Sequence, residues 1–250
     1  MSEWLSYQAH DDSNGQAVFV DFDAELDDRE LQSKFPESVI LTVGGFETDA
    51  DGLPTSAAED QLYELEQRIE AILDDKNGKL AVCVATAGKY AFVTYFAQTP
   101  LSSLLQTPVS LPLTSESQSK RDPEWEAYKT WALEGDDLEE ERDRAQLDQL
   151  EEYGVDLTEE TEITFDFEFA KADDALAADL ALASAGFAAT GLMGNDLDSF
   201  EAEPVVHVAV RAVPTIEAIA DARSRMAEIV TKFGGTYLGW GSNAELEVKL

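Results

Sequence analysis

Two histidines, one cysteine and 52 carboxylates are the groups in this chain that could act on a substrate. General acid–base or nucleophilic chemistry needs a histidine, a thiol or a perturbed carboxylate beside a partner that activates it. His10 lies in the polar stretch Gln8-Ala9-His10-Asp11-Asp12 and reads as solvated. His207 alternates with Val206 and Val208, sharing a face with Val205, Ala209 and Arg211, as a sheet-surface histidine does. An enzyme reading would need a deep pocket there, near His207 and Arg211. Cys83 falls in the apolar run Leu80-Ala81-Val82-Cys83-Val84 and reads as a buried, inert thiol. No second histidine or cysteine stands at zinc-ligand spacing. No Gly-Lys-Ser/Thr phosphate loop and no Gly-x-Ser-x-Gly elbow occurs.

Glu47, Asp49, Asp51 and Gly52 fall near positions 1, 3, 5 and 6 of a calcium loop. Ala58 stands where the bidentate glutamate belongs, and a strand stands where the preceding helix belongs. Asp51-Gly52-Leu53-Pro54 is better read as a turn leading into a helix. Carboxylates are so abundant that pairs arise by chance, so abundance alone is no sign of an acid/base pair. The expectation is therefore a protein with no catalytic residues, no cofactor and no metal, acting through binding.

Charge narrows the partner. Against those carboxylates stand 17 lysines and arginines, a formal net charge of −35. That field repels nucleic-acid phosphates and anionic membrane surfaces, which are held by basic side chains. A basic protein partner or a cation fits it, and screening beyond about 8 Å requires close, matched charges. The plain alternative is a solvated acidic surface, salt adaptation being one variety. Residues 134–160 are the densest stretch, with thirteen carboxylates against Arg142 and Arg144. Asp136, Asp137, Glu140, Glu141, Glu151 and Glu152 are the candidate partner-binding carboxylates. Trp240, flanked by Gly239 and Gly241, is either an exposed aromatic anchor or a ring packed at the sheet edge. Trp125 in Asp122-Pro123-Glu124-Trp125 carries the same ambiguity.

The elements that must position these groups fall into two halves, 1–133 and 134–250, with a linker at 130–137. The length fits two domains. In the first, strands are expected at 17–22 and 39–43, the latter stopping at Gly44-Gly45. Ser56 and Glu59 suggest a capping box. Leu62, Leu65, Ile69, Ile72 and Leu73 then form a helical face, closed by Asn77-Gly78. Strands at 80–86 and 90–96 flank Ala87-Gly88-Lys89 as a hairpin. A helical turn at 100–106 and an extended segment at 109–119 complete the order ββαββαβ, with helices on one face of an antiparallel sheet.

The second half opens with a short acidic helix carrying Leu138, Leu147 and Leu150 and closed by Gly154. Ile163, Phe165, Phe167 and Phe169 alternate with polar residues, giving a strand with one buried face. Residues 171–185 form an alanine-rich helix with Leu176, Leu180 and Ala183 inward, ended by Gly186. A short strand begins at Phe187, and 194–203 is a loop. Val206, Val208 and Val210 mark a strand, and Pro214 precedes a last helix. That helix faces the core with Ile216, Ile219, Met226, Ile229, Val230 and Phe233. Gly234-Gly235 stops it before a strand at 236–238. The fold class is α+β: two α/β sandwiches with antiparallel sheets, the second a ferredoxin-like βαββαβ unit with a leading helix. The N-terminus carries no signal peptide, no apolar run approaches 18 residues, and one cysteine permits no internal disulfide; the cytoplasm is the expected place.

Residues 138–243 resemble the RraB family, regulators of ribonuclease E activity. The resemblance rests on Leu147-Asp148-Gln149-Leu150, Gly154-Val155-Asp156-Leu157, the Phe-alternating strand, Ala185-Gly186-Phe187 and Val213-Pro214-Thr215-Ile216-Glu217-Ala218-Ile219. Its most specific stretch is Phe233-Gly234-Gly235-Thr236-Tyr237-Leu238-Gly239-Trp240-Gly241. The family pattern carries an acidic residue before Gly-Trp-Gly, where Leu238 stands here. The first half resembles a bacterial domain of unknown function that accompanies RraB-like domains. That match rests on Asp51-Gly52-Leu53-Pro54, Leu62-Tyr63-Glu64-Leu65-Glu66, the 80–96 hairpin and Asp122-Pro123-Glu124-Trp125-Glu126-Ala127-Tyr128. The resemblance implies a non-catalytic inhibitor that binds ribonuclease E, or another basic protein, by protein–protein contact. The competing readings are a general interaction or homo-oligomeric module and, third, an enzyme.

Overall fold

The computed structural model describes residues 3–10, 15–98, 113–192 and 204–242. The chain divides into two compact units, Met1–Glu141 and Arg142–Leu250.

The first unit is a six-stranded sheet. Its elements are β1 (Trp4–His10), β2 (Ala17–Asp23), α1 (Arg29–Lys34), β3 (Glu37–Gly44), α2 (Ser56–Lys76), β4 (Gly78–Thr86), β5 (Lys89–Phe96), β6 (Thr114–Arg121) and α3 (Glu126–Lys129). Strand order is β1-β2-β4-β5-β3-β6, every pair antiparallel. Period two sends alternate residues to opposite faces, and each face carries a packed layer. On one side Leu62, Leu65, Ile69 and Leu73 of α2 pack on Val39, Leu41, Val43, Cys83 and Phe92. On the other, Leu26, Phe35, Trp125 and Tyr128 pack on Val20, Phe22, Val82, Val93 and Tyr95. The expectation of helices on one face is thus corrected. The second layer is made of short pieces whose apolar residues are too few to show a helical period.

Three further local readings change. The polar-looking N-terminal stretch is an edge strand with Leu5 buried and His10 exposed at its end. Ser56 is the first helical residue and not the cap; Thr55 precedes it, its hydroxyl buried without a hydrogen-bond partner among the described residues. The α2 helix therefore starts without a capping box. Its end is as expected, with Asn77 left-handed at φ 52°. Trp131 and Leu133, expected in a linker, pack on the first core together with Leu138. The expected turn at 100–106 lies outside the described residues. So does the whole of the expected loop at 194–203.

The second unit begins within α4 (Gly135–Glu152) and continues β7 (Thr161–Glu168), α5 (Ala172–Ser184), β8 (Ala188–Leu192), β9 (Val205–Ala212), α6 (Ile216–Val230) and β10 (Thr236–Ser242). Strand order is β10-β7-β9-β8, all antiparallel. Counted from β7, that is 4-1-3-2, the ferredoxin-like arrangement behind a leading helix. Ile163, Phe165, Phe167 and Phe169 are all buried against Ile219, Met226 and Val230. Burying each such side chain contributes about 1.5–3 kcal/mol.

In α5 the inward residues are Ala175, Ala178 and Leu182, whereas Leu176 and Leu180 are 50% and 61% exposed. The expected face is therefore wrong by about a third of a turn. Every position of α5 is small or apolar apart from three aspartates and a serine, so hydropathy could not select the face. Small residues on the inner side let a helix lie close to its sheet.

Candidate functional site

The acidic helix α4 is the site the sequence singles out, and its own residues explain its form. Asp136 and Asp137 occupy the first turn, where the N-terminal partial charge favours anions. At the other end Gly154 is left-handed at φ 83°; its N–H reaches the Glu151 carbonyl and that of Val155 reaches the Leu150 carbonyl. This pair of bonds is a Schellman closure. Between the ends, Asp143, Leu147 and Leu150 recur at i, i+4 and i+7, so one carboxylate falls on the apolar stripe. Leu147 and Leu150 join the second core.

Asp143 is 2% exposed and fully engaged. Arg223 Nη1, from α6, donates to its Oδ1 at 2.8 Å and Oδ2 at 2.6 Å. Trp240 Nε1, from β10, donates to Oδ1 at 2.9 Å. Gln146, one turn on in α4, donates from Nε2 to the Trp240 carbonyl at 2.6 Å. Arg223 also lies 5.7 Å from the Tyr237 ring centroid. Desolvation lowers the guanidinium's proton affinity, but the Asp143 hydrogen bonds and charge outweigh it, and the net shift is upward. The pair is thus ionised and fixes the leading helix to the last helix and last strand.

The Phe-Gly-Gly-Thr-Tyr-Leu-Gly-Trp-Gly stretch is the device that delivers Trp240. Gly234 takes φ 73° at the end of the last helix, and a Cβ on Gly235 would meet Val230 Cγ1 at 2.4 Å and Phe169 Cε1 at 2.5 Å. In β10 the register slips between Tyr237, opposite Phe167, and Gly239, opposite Asp166. Leu238 is the extra residue of this bulge and turns outward, 53% exposed. Gly239 at φ 148° completes the turn that brings Trp240 inward.

Of the seven candidate partner-binding residues, Asp136, Asp137, Glu140, Glu151 and Glu152 are exposed. Glu141 is buried, and Trp240 is a core residue at 7% exposure, the packed alternative for that ring. Trp125 is likewise buried. Asp143 and Arg223 were not singled out from sequence, although an aspartate in phase with Leu147 and Leu150 was a usable signal.

No catalytic constellation accompanies them among the described residues. His207 Nδ1 lies 2.6 Å from Asp166 Oδ1 across β7 and β9. Glu162 stands opposite Arg211 four residues along the same strands, with Thr164 opposite Ala209 between the two pairs. In the loop before α2, Asp49 Oδ1 accepts from the N–H groups of Asp51 and Leu53 at 2.9 Å each, an Asx turn. No cluster of three or more His, Cys, Asp or Glu side chains among the described residues could hold a metal ion. No helix among them is long and apolar enough to cross a membrane.

Comparison with known proteins gives two family matches. Residues 140–242 match the family described as Regulator of ribonuclease activity B, as the resemblance led us to expect. Residues 2–131 match a family of unknown function, DUF695. No curated protein matches the chain. Among solved structures, the chain is similar to an unknown protein from Galdieria sulphuraria. That likeness has 13% identity over 83% of this chain and 98% of that one, at a TM-score of 0.22 too low to support any argument. The chain belongs, by the match over just over half its length, to the DUF695 family of unknown function, and it carries behind that region a segment matched by the Regulator of ribonuclease activity B family.

Proposed function

We propose that this protein is a non-catalytic regulator that binds a ribonuclease through protein–protein contact and so modulates RNA decay in the cytoplasm. The observation that carries this reading is the family match over residues 140–242, which spans α4 from Glu140 onward, the whole ferredoxin-like unit and the Gly-Trp-Gly strand. The net charge of −35 supports a protein target over RNA itself. Asp136, Asp137, Glu140, Glu151 and Glu152 are the carboxylates offered to a basic surface, and ribonuclease E, where the cell contains it, is the first partner to test. Trp240 and Glu141 drop out as contact residues because both are buried. Trp240 acts instead by holding α4 in place.

The test couples capture to activity. The tagged full chain is used to recover partners from its native cell, and the recovered ribonuclease is then assayed on RNA with and without the protein. Slower cleavage is expected, with inhibition weakened by E140K/E151K and weakened further by added salt. Recovery of no ribonuclease or RNA-decay component, or cleavage indifferent to the protein, defeats the reading.

One observation favours a second reading, a homo-oligomeric module. Leu176 and Leu180 lie one turn apart on α5, both exposed. Sedimentation that shows a monomer at high concentration removes it.

A further inference from the structure

The first unit contains a cleft that has no connection with α4 or with the ribonuclease reading. Helix α2 lies over β3, β4 and β5, leaving the flank of the sheet at β2 and β1 uncovered. In register Phe19 stands opposite Ala85, and Asp21 opposite Cys83 and Ser6. Cys83 belongs to the α2-side core, so Phe19 and Asp21 point to the same side of the sheet as the helix. Between that flank and α2 opens a cleft of about 310 Å³.

Its walls are Phe19, Leu62, Tyr63 and Tyr90, and its carboxylates include Asp21 and Glu66; among the described residues no lysine or arginine lines it. Phe19 and Tyr63 are both exposed, Tyr63 strongly so. Asp21 accepts a hydrogen bond from the Ser6 hydroxyl. Glu66 has no hydrogen-bond or ion-pair partner among the described residues. Burial raises the proton affinity of both carboxyls. The charges of Glu70 and Asp21 raise that of Glu66 further, while Ser6 partly offsets the rise at Asp21. Two crowded, half-buried carboxylates beside aromatic side chains thus have no countercharge among the described residues of the cleft.

We propose that this cleft binds a small organic cation, an aliphatic amine or guanidine, with its charge against Asp21 and Glu66 and its stem against Phe19, Tyr63 and Tyr90. Aromatic faces attract cations through their quadrupoles, and an aliphatic stem buries against the same rings. A compact metal ion is the poorer candidate, because the described residues form no cluster of three or more His, Cys, Asp or Glu side chains that could hold one. The volume suits a small molecule, at the lower end of ordinary ligand pockets.

Because a charge of −35 draws every cation loosely, the test must separate a site from a counterion cloud. Butylguanidinium and its neutral analogue butylurea are titrated against the full chain at about 0.15 M salt, where long-range attraction is screened, by calorimetry and amide chemical shifts. Saturable one-to-one binding of butylguanidinium is expected, with shifts confined to β2, β5 and α2. Affinity should fall at least tenfold in E66Q and in Y63A, remain unchanged in E151Q/E152Q, and be absent for butylurea. Shifts spread over the whole surface, equal binding of magnesium at the same site, or binding indifferent to E66Q overturn the proposal. An arm with acetyl-Gly-Arg-Gly-amide distinguishes the source of the cation. If the peptide binds more than tenfold tighter than butylguanidinium, the cleft takes a protein side chain and the small-molecule assignment fails. None of these outcomes depends on a ribonuclease.

Discussion

Each unit buries one aspartate beside one tryptophan, and the two are satisfied in different ways. In the first unit Asp122 is hydrogen-bonded by neutral donors, Tyr95 Oη at 2.8 Å and the N–H groups of Glu126 and Ala127 at 3.0 Å each, while the half-exposed Lys120 ammonium stands off at 3.8 Å. Trp125 stacks on Tyr95 at 3.8 Å and donates to the carbonyls of Gln32 and Phe35. That bonding sustains its φ of 53°, a strained conformation for a bulky residue. In the second unit Asp143 is held by a guanidinium drawn from 80 residues away. Local backbone donors make Asp122 a helix-start device. A distant cation makes Asp143 a clasp between α4, α6 and β10. The second arrangement depends more heavily on each partner, because removing one member leaves a buried charge.

The sharpest way to break the comparison is D143A. It should destabilise the second unit by about 3–5 kcal/mol, the largest effect of any substitution considered. Denaturation of the full chain, with hydrogen exchange to localise the loss, should show α4, α6 and β10 opening while the first sheet stays protected. The double variant D143L/R223M should recover much of that loss, since an apolar pair leaves no buried charge. If D143A unfolds both units together, or spares α4, the clasp is misassigned.

L182A comes next, at about 2–5 kcal/mol for a buried leucine. L180A, two positions away, should stay within about 0.5 kcal/mol as a surface change. The contrast bears on what the sequence could reveal. The Ile163-to-Phe169 strand was legible because polar residues separate its apolar ones. So was the inward face of α2, where charged residues fill the gaps between Leu62, Leu65, Ile69 and Leu73. In α5 alanine and leucine fill nearly every position, and size, not hydropathy, decides which side meets the sheet. The sequence left Trp240 open between a packed ring and an exposed anchor for another reason: the outcome depends on a one-residue bulge at Leu238, and a one-residue slip reverses every side chain after it. The buried Asp143–Arg223 pair required knowing that α4 and α6 meet, which no local spacing encodes.

D122N should cost the first unit about 1–3 kcal/mol, because an amide N–H₂ must then face a donor at one of the three bonds. This aspartate also sets an acid limit. Burial alone would raise its proton affinity, but the Ala127 N–H, the Tyr95 hydroxyl, the Glu126 N–H and the Lys120 charge bring the net shift downward. With the folded value below the unfolded one of about 3.9, its contribution is complete above that value and is lost as pH falls through the folded value. Acid denaturation of D122N should therefore be flatter than that of the wild type below about pH 4. Identical acid profiles would mean the carboxylate is not held as its contacts indicate.

E66Q carries the smallest expected effect and the opposite sign. Asp122 and Asp143 are carboxylates whose partners stabilise the charge. Glu66 is one whose surroundings penalise it, through burial first and then the charges of Glu70 and Asp21. Its folded proton affinity exceeds the unfolded one, so ionisation costs stability at neutral pH. That cost disappears as pH falls through the raised folded value toward the unfolded value of about 4.3. Removing the charge should raise the thermal midpoint slightly at pH 7 and leave it unchanged near pH 3. Added butylguanidinium should reverse the ranking at pH 7, because a ligand that binds only the folded wild type adds stability that E66Q cannot gain. A carboxylate held at a net cost to stability, with no lysine or arginine among the described residues lining its cleft, is what a cation-binding site requires. A midpoint that falls in E66Q would remove that argument and make Glu66 an ordinary structural residue.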